Sequence, residues 1–448
     1  MARTYLIKPI LDHPYSTITH GKGVFLYDEK GQKYLDGSSG AVTANIGHSV
    51  QEIVQAMQDQ AAKVSFVYRS QFTTEPAEKL AEKISQLTPG SLNWSFFVNS
   101  GSEAVETAMK IAVQHWEEKG RGTKKHFITR WMSYHGITMG ALSASGHIQR
   151  RDIFESMLEN YPLASPPYYY RDATGRTIDQ CDDHYAAELE RAILRIGADN
   201  IAAFIAEPII GAAGGALTPS DQYYKKIKAV CDRYDILFIA DEIMTGMGRT
   251  GKMFAMEHFG VIPDIMAIGK GMGAGYTPIA AAVASEEVMA PILNGTNTVL
   301  SGHTYSANPL SAATTLAIIN YLEKNNLVQA SAEKGAYLHE KVKEIAKTSQ
   351  IIGDVRGKGL FVGIEFVQNK QTKQSFSKTT DVTNEVVAAN YAEKLLVYPA
   401  NSGQDGYNGD AIIIAPPLTI TYEEIDLLLE KFTRALETVE EKLLEHSK

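Results

Sequence analysis

Ile236-Leu237-Phe238-Ile239-Ala240-Asp241-Glu242-Ile243, then, after a glycine-rich connection, Pro263-Asp264-Ile265-Met266-Ala267-Ile268-Gly269-Lys270-Gly271, is the stretch whose reading decides the fold. Two apolar runs of strand length, each bounded by turn residues, have the character of parallel strands buried on both faces. Asp241 closes the first run, and Lys270 stands just past the second. Open α/β sheets bind ligands outside the carboxyl ends of their strands, so these two side chains are placed to face one ligand. On spacing alone, a structural ion pair or two solvated charges explains them as well. Lys270 argues for more, because Gly269, Gly271, Gly273 and Gly275 surround it and no acid lies in that run. A lysine held in apolar surroundings loses proton affinity and becomes a nucleophile, the usual origin of Schiff-base lysines.

Strand and helix patterns alternate on both sides of this stretch. Trp94-Ser95-Phe96-Phe97-Val98 reads as a strand that Asn99-Ser100-Gly101-Ser102-Glu103 turns directly into a helix. Ser100, Gly101 and Ser102 there leave first-turn amides able to cradle an anion, although an N-cap without a ligand explains Ser100 equally well. Strands are also expected at 126–129, 201–206 and 279–284, and helices at 183–195, 220–234 and 308–324. Residues 161–183, with Pro162, Pro166, Pro167 and three successive tyrosines, read as a long irregular connection. Beyond it, strands at 361–366 and 411–415 flank a helix at 382–395, and the chain closes on an amphipathic helix. The N-terminal runs 24–27 and 33–35 read as a β-hairpin. The expected fold is α/β: a large domain of residues 61–329 with a mostly parallel sheet flanked by helices, plus a smaller α+β domain built from 1–60 and 330–448.

The chain has 448 residues, 44% of them hydrophobic and 21% charged, the composition of an enzyme-sized globular protein. A net charge of -9 carries no basic footprint for nucleic acid. No run reaches the roughly 18 apolar residues of a membrane span and the N-terminus lacks an apolar core segment, so a cytoplasmic location is expected. Cys181 and Cys231 make no metal or redox spacing and read as inert thiols, and no metal site is expected.

Taken together, Asn99-Ser100-Gly101-Ser102-Glu103-Ala104, Tyr134-His135-Gly136, Glu207-Pro208, Asp241-Glu242-Ile243, Gly246-Met247-Gly248-Arg249-Thr250-Gly251, Lys270 and His303-Thr304 carry a resemblance. Their order and spacing resemble those of the class III pyridoxal-phosphate aminotransferases, over nearly the whole chain. The resemblance implies a fold-type I enzyme that uses pyridoxal 5'-phosphate, with Lys270 as Schiff-base lysine and proton shuttle and Asp241 paired with the pyridinium nitrogen. It further implies that Gly101 and Ser102 bind the phosphate, that Tyr134 stacks on one face of the ring and that Ile243 packs on the other. Thr304 would reach the phosphate of a neighbouring subunit, making a homodimer, or a tetramer built from it, the functional unit. His135 is read as a structural neighbour of the cofactor, and Glu207 as a member of its hydrogen-bond network or a strand-end residue.

The departures bear on substrate. Where ornithine- and 4-aminobutyrate-type relatives carry a glutamate and a glutamine, this chain has Ala212 and Met244, which looks like the ω-aminotransferase branch. That branch transfers amino groups from ω-amino acids and amines to a 2-oxo acid, often pyruvate. Its usual tryptophan is replaced by Val42, and Tyr398 stands where its mobile, carboxylate-binding arginine is expected. Carboxylate recognition is then expected to be weak or to come from elsewhere, and an arginine such as Arg69 or Arg150 could substitute. An aminomutase, decarboxylase or racemase on the same fold would use the same lysine and aspartate. A nucleotide-binding reading of 269–275 fails because no Walker Lys-Ser/Thr pair follows.

Overall fold

The computed structural model describes residues 5–403 and 407–446. A seven-stranded sheet forms its centre: β1 (Leu92–Val98), β2 (His126–Arg130), β3 (Leu163–Ala164), β4 (Ile201–Ala206), β5 (Leu237–Asp241), β6 (Ile265–Ile268) and β7 (Ala280–Ser285). Their spatial order is β1-β7-β6-β5-β4-β2-β3. Parallel pairing runs from β6 through β5, β4 and β2 to β3, and β7 alone runs against both its neighbours. Alternate residues serve opposite faces, as the strand pleat requires. On β7, Ala281 and Val283 join the core beneath helices Glu75–Leu87 and Pro309–Lys324, whereas Ala280, Ala282 and Ala284 join the core beneath helix α1 (Gly101–Glu118). Both faces are covered, which is why these strands are continuous apolar runs rather than alternating ones.

The register places the chemistry. Asp241, the last residue of β5, pairs with Ala267 of β6, and Lys270 follows two residues after that strand ends. Both side chains therefore leave the sheet at the same edge, beside the N-terminus of α1.

Two smaller sheets flank the centre. Ile18–Lys22, Phe25–Asp28 and Lys33–Asp36 form an antiparallel ribbon that Leu395–Leu396 extends in parallel. Ile352–Lys358, Phe361–Phe366, Asp410–Ile414 and Tyr398–Asn401 form an antiparallel sheet in that spatial order. Its strand Ile352–Lys358 was not expected from sequence, because Asp354, Arg356 and Lys358 interrupt any apolar pattern. Tertiary pairing explains it: buried Arg356 meets Glu365 at 2.5 Å and donates to the carbonyls of Gly214 (2.6 Å) and Gly215 (2.9 Å). Arg171 reaches the same Glu365 carboxylate at 2.6 Å.

Three boundaries differ from expectation. The helix expected at 183–195 begins at Ile178, where Thr177 and Gln180 form a reciprocal capping box. The irregular connection before it contains β3 and a short helix, Tyr169–Asp172. The helix expected at 382–395 stops at Ala392, and Lys394, with φ 61°, turns Leu395–Leu396 out to pair with Lys33–Asp36. No helix among the described residues is long and apolar enough to cross a membrane. Cys181 and Cys231 are buried, free thiols.

Candidate active site

A cavity of about 270 Å³ opens where β5 and β6 end. Gly101, Ser102, Tyr134, His135, Glu207, Asp241, Ile243 and Lys270 line it, together with Ala41, Gly136, Arg150, Ala212, Met244 and Tyr398.

One end has the features of an anion cradle. Gly101 opens α1, where unpaired amides and the helix dipole favour negative charge. Ser102 Oγ accepts from the amide of Ile137 at 3.0 Å. Gly136 has φ 144°, and a Cβ there would lie 2.4 Å from Ser102 Oγ, so this approach admits no side chain. Ser100 stands just behind as N-cap, its hydroxyl accepting from the Glu103 amide at 3.3 Å.

At the floor, buried Asp241 accepts from the Ile243 amide at 3.1 Å, and its other oxygen lies 2.8 Å from His135 Nδ1. His135 is fixed through its own amide, which donates to Ser145 Oγ at 2.8 Å. Its Nε2 is buried and has no hydrogen-bond partner among the described residues. Glu207 Oε1 accepts from the Tyr134 amide and Oε2 from the Gly211 amide, each at 2.9 Å. Burial, with nearby Asp241, raises the proton affinity of Glu207 above the ordinary glutamate range.

Lys270 Nζ donates to the Ala41 carbonyl at 2.6 Å and lies 6.0 Å from the Tyr398 ring centre. Burial depresses its pKa to about 8, with Arg150 and Arg249 adding to the fall and Asp241 and Glu207 opposing it. The amine thus retains a neutral fraction near physiological pH. Lys270 has φ 45°, and on the segment that receives it Ser39 has φ 51° and Val42 φ 57°. Left-handed backbone at these residues, above all at β-branched Val42, is strain held by the surrounding packing, a feature that clusters at functional sites.

Val42 itself is buried in the core at 1% exposure, and its neighbour Ala41 supplies the cavity wall. Arg69 is also absent from the lining: it donates to the Ser301 carbonyl at 2.5 Å and covers the Phe96 ring at 4.8 Å. Thr304 is exposed and lies off this chain's own cavity. The Ala41 carbonyl had no signal in sequence, since any residue supplies a carbonyl.

A family model described as "Aminotransferase class-III" matches residues 8–436. The uncharacterized aminotransferase YodT of Bacillus subtilis is 51% identical over 440 residues, covering 98% of this chain and 99% of that protein. The putrescine–pyruvate aminotransferase of Pseudomonas aeruginosa is 35% identical, covering 94% of this chain and 90% of that protein. Among solved structures, an (S)-enantioselective ω-transaminase from Thermomicrobium roseum superposes with a TM-score of 0.89 at 35% identity, covering 96% and 93% of the two chains. A transaminase from Virgibacillus does so with a TM-score of 0.91 at 33% identity, covering 98% of each.

Proposed function

The chain belongs to the class III aminotransferases, and on that premise we propose that it moves the amino group of an ω-amino acid or simple amine to a 2-oxo acid, pyruvate first, in two successive half-reactions. The observation that carries this reading is a lysine amine of depressed proton affinity and a buried aspartate facing one cavity.

Pyridoxal 5'-phosphate, on which the family depends, fits these residues. Its phosphate suits the cradle of Gly101, Ser102 and Gly136, and its flat ring suits the walls of Tyr134 and Ile243. When bound, the group supplies an electron sink for the carbon that bears the transferred nitrogen. With the cofactor bound, Asp241 would hold a proton on its ring nitrogen, and His135 Nδ1, 2.8 Å from that carboxylate, would orient it. Glu207, clamped by two amides, fixes the backbone of Tyr134 and of the loop that carries Ala212. Lys270 Nζ takes a proton from the substrate's amine-bearing carbon and returns one on the reverse path.

Ala212 and Met244 leave this wall without side-chain charge, which supports donors of the ω-amino acid and amine class. A relative named for putrescine and pyruvate supports the acceptor. A homodimer belongs to the same proposal. Exposed Thr304 lies beside Tyr305, whose ring meets exposed Phe66 at 6.0 Å, an apolar surface suited to a second subunit. The division of the chain at about residues 61 and 329 is supported by Leu395–Leu396 pairing back onto Lys33–Asp36.

The test is the visible spectrum of the cofactor-loaded protein with β-alanine, taurine, 4-aminobutyrate and putrescine, each without acceptor. One donor should convert the cofactor band to its aminated form, and pyruvate should restore it. A band that no donor changes would remove the donor assignment, and one restored only by another 2-oxo acid would remove pyruvate.

A further inference from the structure

We propose that Arg150 is the specificity residue that binds the substrate carboxylate, in the role left open by Tyr398; this rests on the ω-amino acid and 2-oxo acid reading above. Arg150 and Arg151 sit together on the short helix Ile148–Arg151, yet the fold uses them in opposite ways. Arg151 is buried, donating to the carbonyls of Leu142 (3.2 Å), Ser143 (2.9 Å) and Ser145 (2.9 Å) and to Glu155 at 3.2 Å. It pins the turn. Arg150 is exposed and lines the cavity instead, with its guanidinium carbon 4.6 Å from the centre of the Tyr134 ring. No acidic side chain or carbonyl among the described residues takes its donors.

The acids of the cavity are already engaged. Asp241 is held by His135 and the Ile243 amide, and Glu207 by the amides of Tyr134 and Gly211. The five N–H donors of a guanidinium, in a planar fork that matches a carboxylate, are therefore open to an incoming anion. Stacking on Tyr134 orients that fork without consuming its donors. Arg150 also stands near enough to bear electrostatically on both Lys270 and Tyr398. A substrate with its amine at Lys270 thus has a cation and a protonated phenol available for its other end. Arg69, the alternative, lies outside the cavity lining and donates to the Ser301 carbonyl.

The experiment compares cofactor-loaded wild type with Arg150→Met and Arg150→Lys. KM is measured for β-alanine and pyruvate, which carry a carboxylate, and for 1-aminopropane, which does not. The dissociation constant of propionate, an unreactive carboxylate, is read from the shift of the cofactor band, and that of pyridoxal phosphate from reconstitution. For Arg150→Met we expect KM for β-alanine and pyruvate, and the propionate constant, to rise about 10- to 100-fold, the loss of a charge-assisted contact. 1-Aminopropane should change less than about threefold, and Arg150→Lys should recover part of the loss. Equal losses for 1-aminopropane and β-alanine would mean that Arg150 only props Tyr134, and would overturn the proposal. A loss confined to pyridoxal phosphate affinity would assign Arg150 to the phosphate and overturn it too. If wild type converts amines but not β-alanine or pyruvate, the substrate reading fails first; if it handles all of them and Arg150→Met matches it, only the Arg150 assignment falls.

Discussion

His135 Nδ1 lies 2.8 Å from Asp241 Oδ2, and the two side chains are only 0% and 3% exposed. A buried carboxylate needs hydrogen-bond partners, and here one imidazole nitrogen and one backbone amide supply them. Asp241→Asn keeps the shape and removes the charge. We expect cofactor still to bind while kcat falls by about 100- to 1000-fold, the scale of losing one preorganised electrostatic partner. Single-turnover conversion of the cofactor band by an amine donor checks this, and a near-wild-type rate would contradict the assigned role.

Lys270 provides a pH signature independent of turnover. Its folded-state pKa, about 8, lies below the unfolded value of 10.5, so the folded state disfavours the protonated amine. Below pH 8 both states are protonated and the penalty is fully present. Between pH 8 and 10.5 the unfolded chain binds more protons than the folded one, and this term becomes steadily less unfavourable as pH rises. Cofactor-free Lys270→Met should therefore be more stable than wild type at pH 7, by about 1–3 kcal/mol after allowing for partial exposure to the cavity. The difference should shrink toward pH 10. Urea melts of both apoproteins across that range provide the check, and a gap that widens with pH would refute the depressed proton affinity.

Gly136 tests the anion cradle. Gly136→Ala sets a methyl 2.4 Å from Ser102 Oγ at a backbone φ of 144°. Gly120, with φ 69° and nothing within 4 Å of a Cβ, isolates the backbone cost alone. We expect Gly136→Ala to weaken pyridoxal phosphate binding at least about tenfold, and Gly120→Ala to cost only about 1 kcal/mol of stability with cofactor affinity intact. Titration of each apoprotein with cofactor distinguishes them.

Arg356 and Glu365 form the buried link between the C-terminal sheet and the 214–215 loop. Arg356→Met leaves Glu365 with Arg171 and the Tyr168 hydroxyl, and leaves two carbonyls without their donor. The expected loss is about 2–4 kcal/mol in urea unfolding, because a buried charge has lost one of its two cationic partners and two carbonyls their donor. Adding Glu365→Gln should restore part of it, since the two residues share one network. Strictly additive losses would show that the pair is not coupled.

Legibility in the sequence followed how local the determinants are. The buried strands around Asp241 and Lys270 were readable because continuous apolar runs between turns have few other fates. The helix at Gly101 was readable from Ser100 and Glu103, whose capping partners lie within four residues. The strand Ile352–Lys358 was not, because its polar residues are tolerated only through Glu365 and the 214–215 carbonyls, far away in the chain.

The site divides in the same way. Spacing and side-chain chemistry made Lys270 and Asp241 candidates from sequence, and the family resemblance added the roles it implies for Asp241, Tyr134 and Ser102. Which partners meet them is a matter of three-dimensional position. Tertiary structure set the Ala41 carbonyl against Lys270, buried Val42, sent Arg69 to Ser301 and left Arg150 on the cavity wall. Backbone carbonyls carry no residue signature, and one arginine reads like another until packing decides which is pinned and which is free.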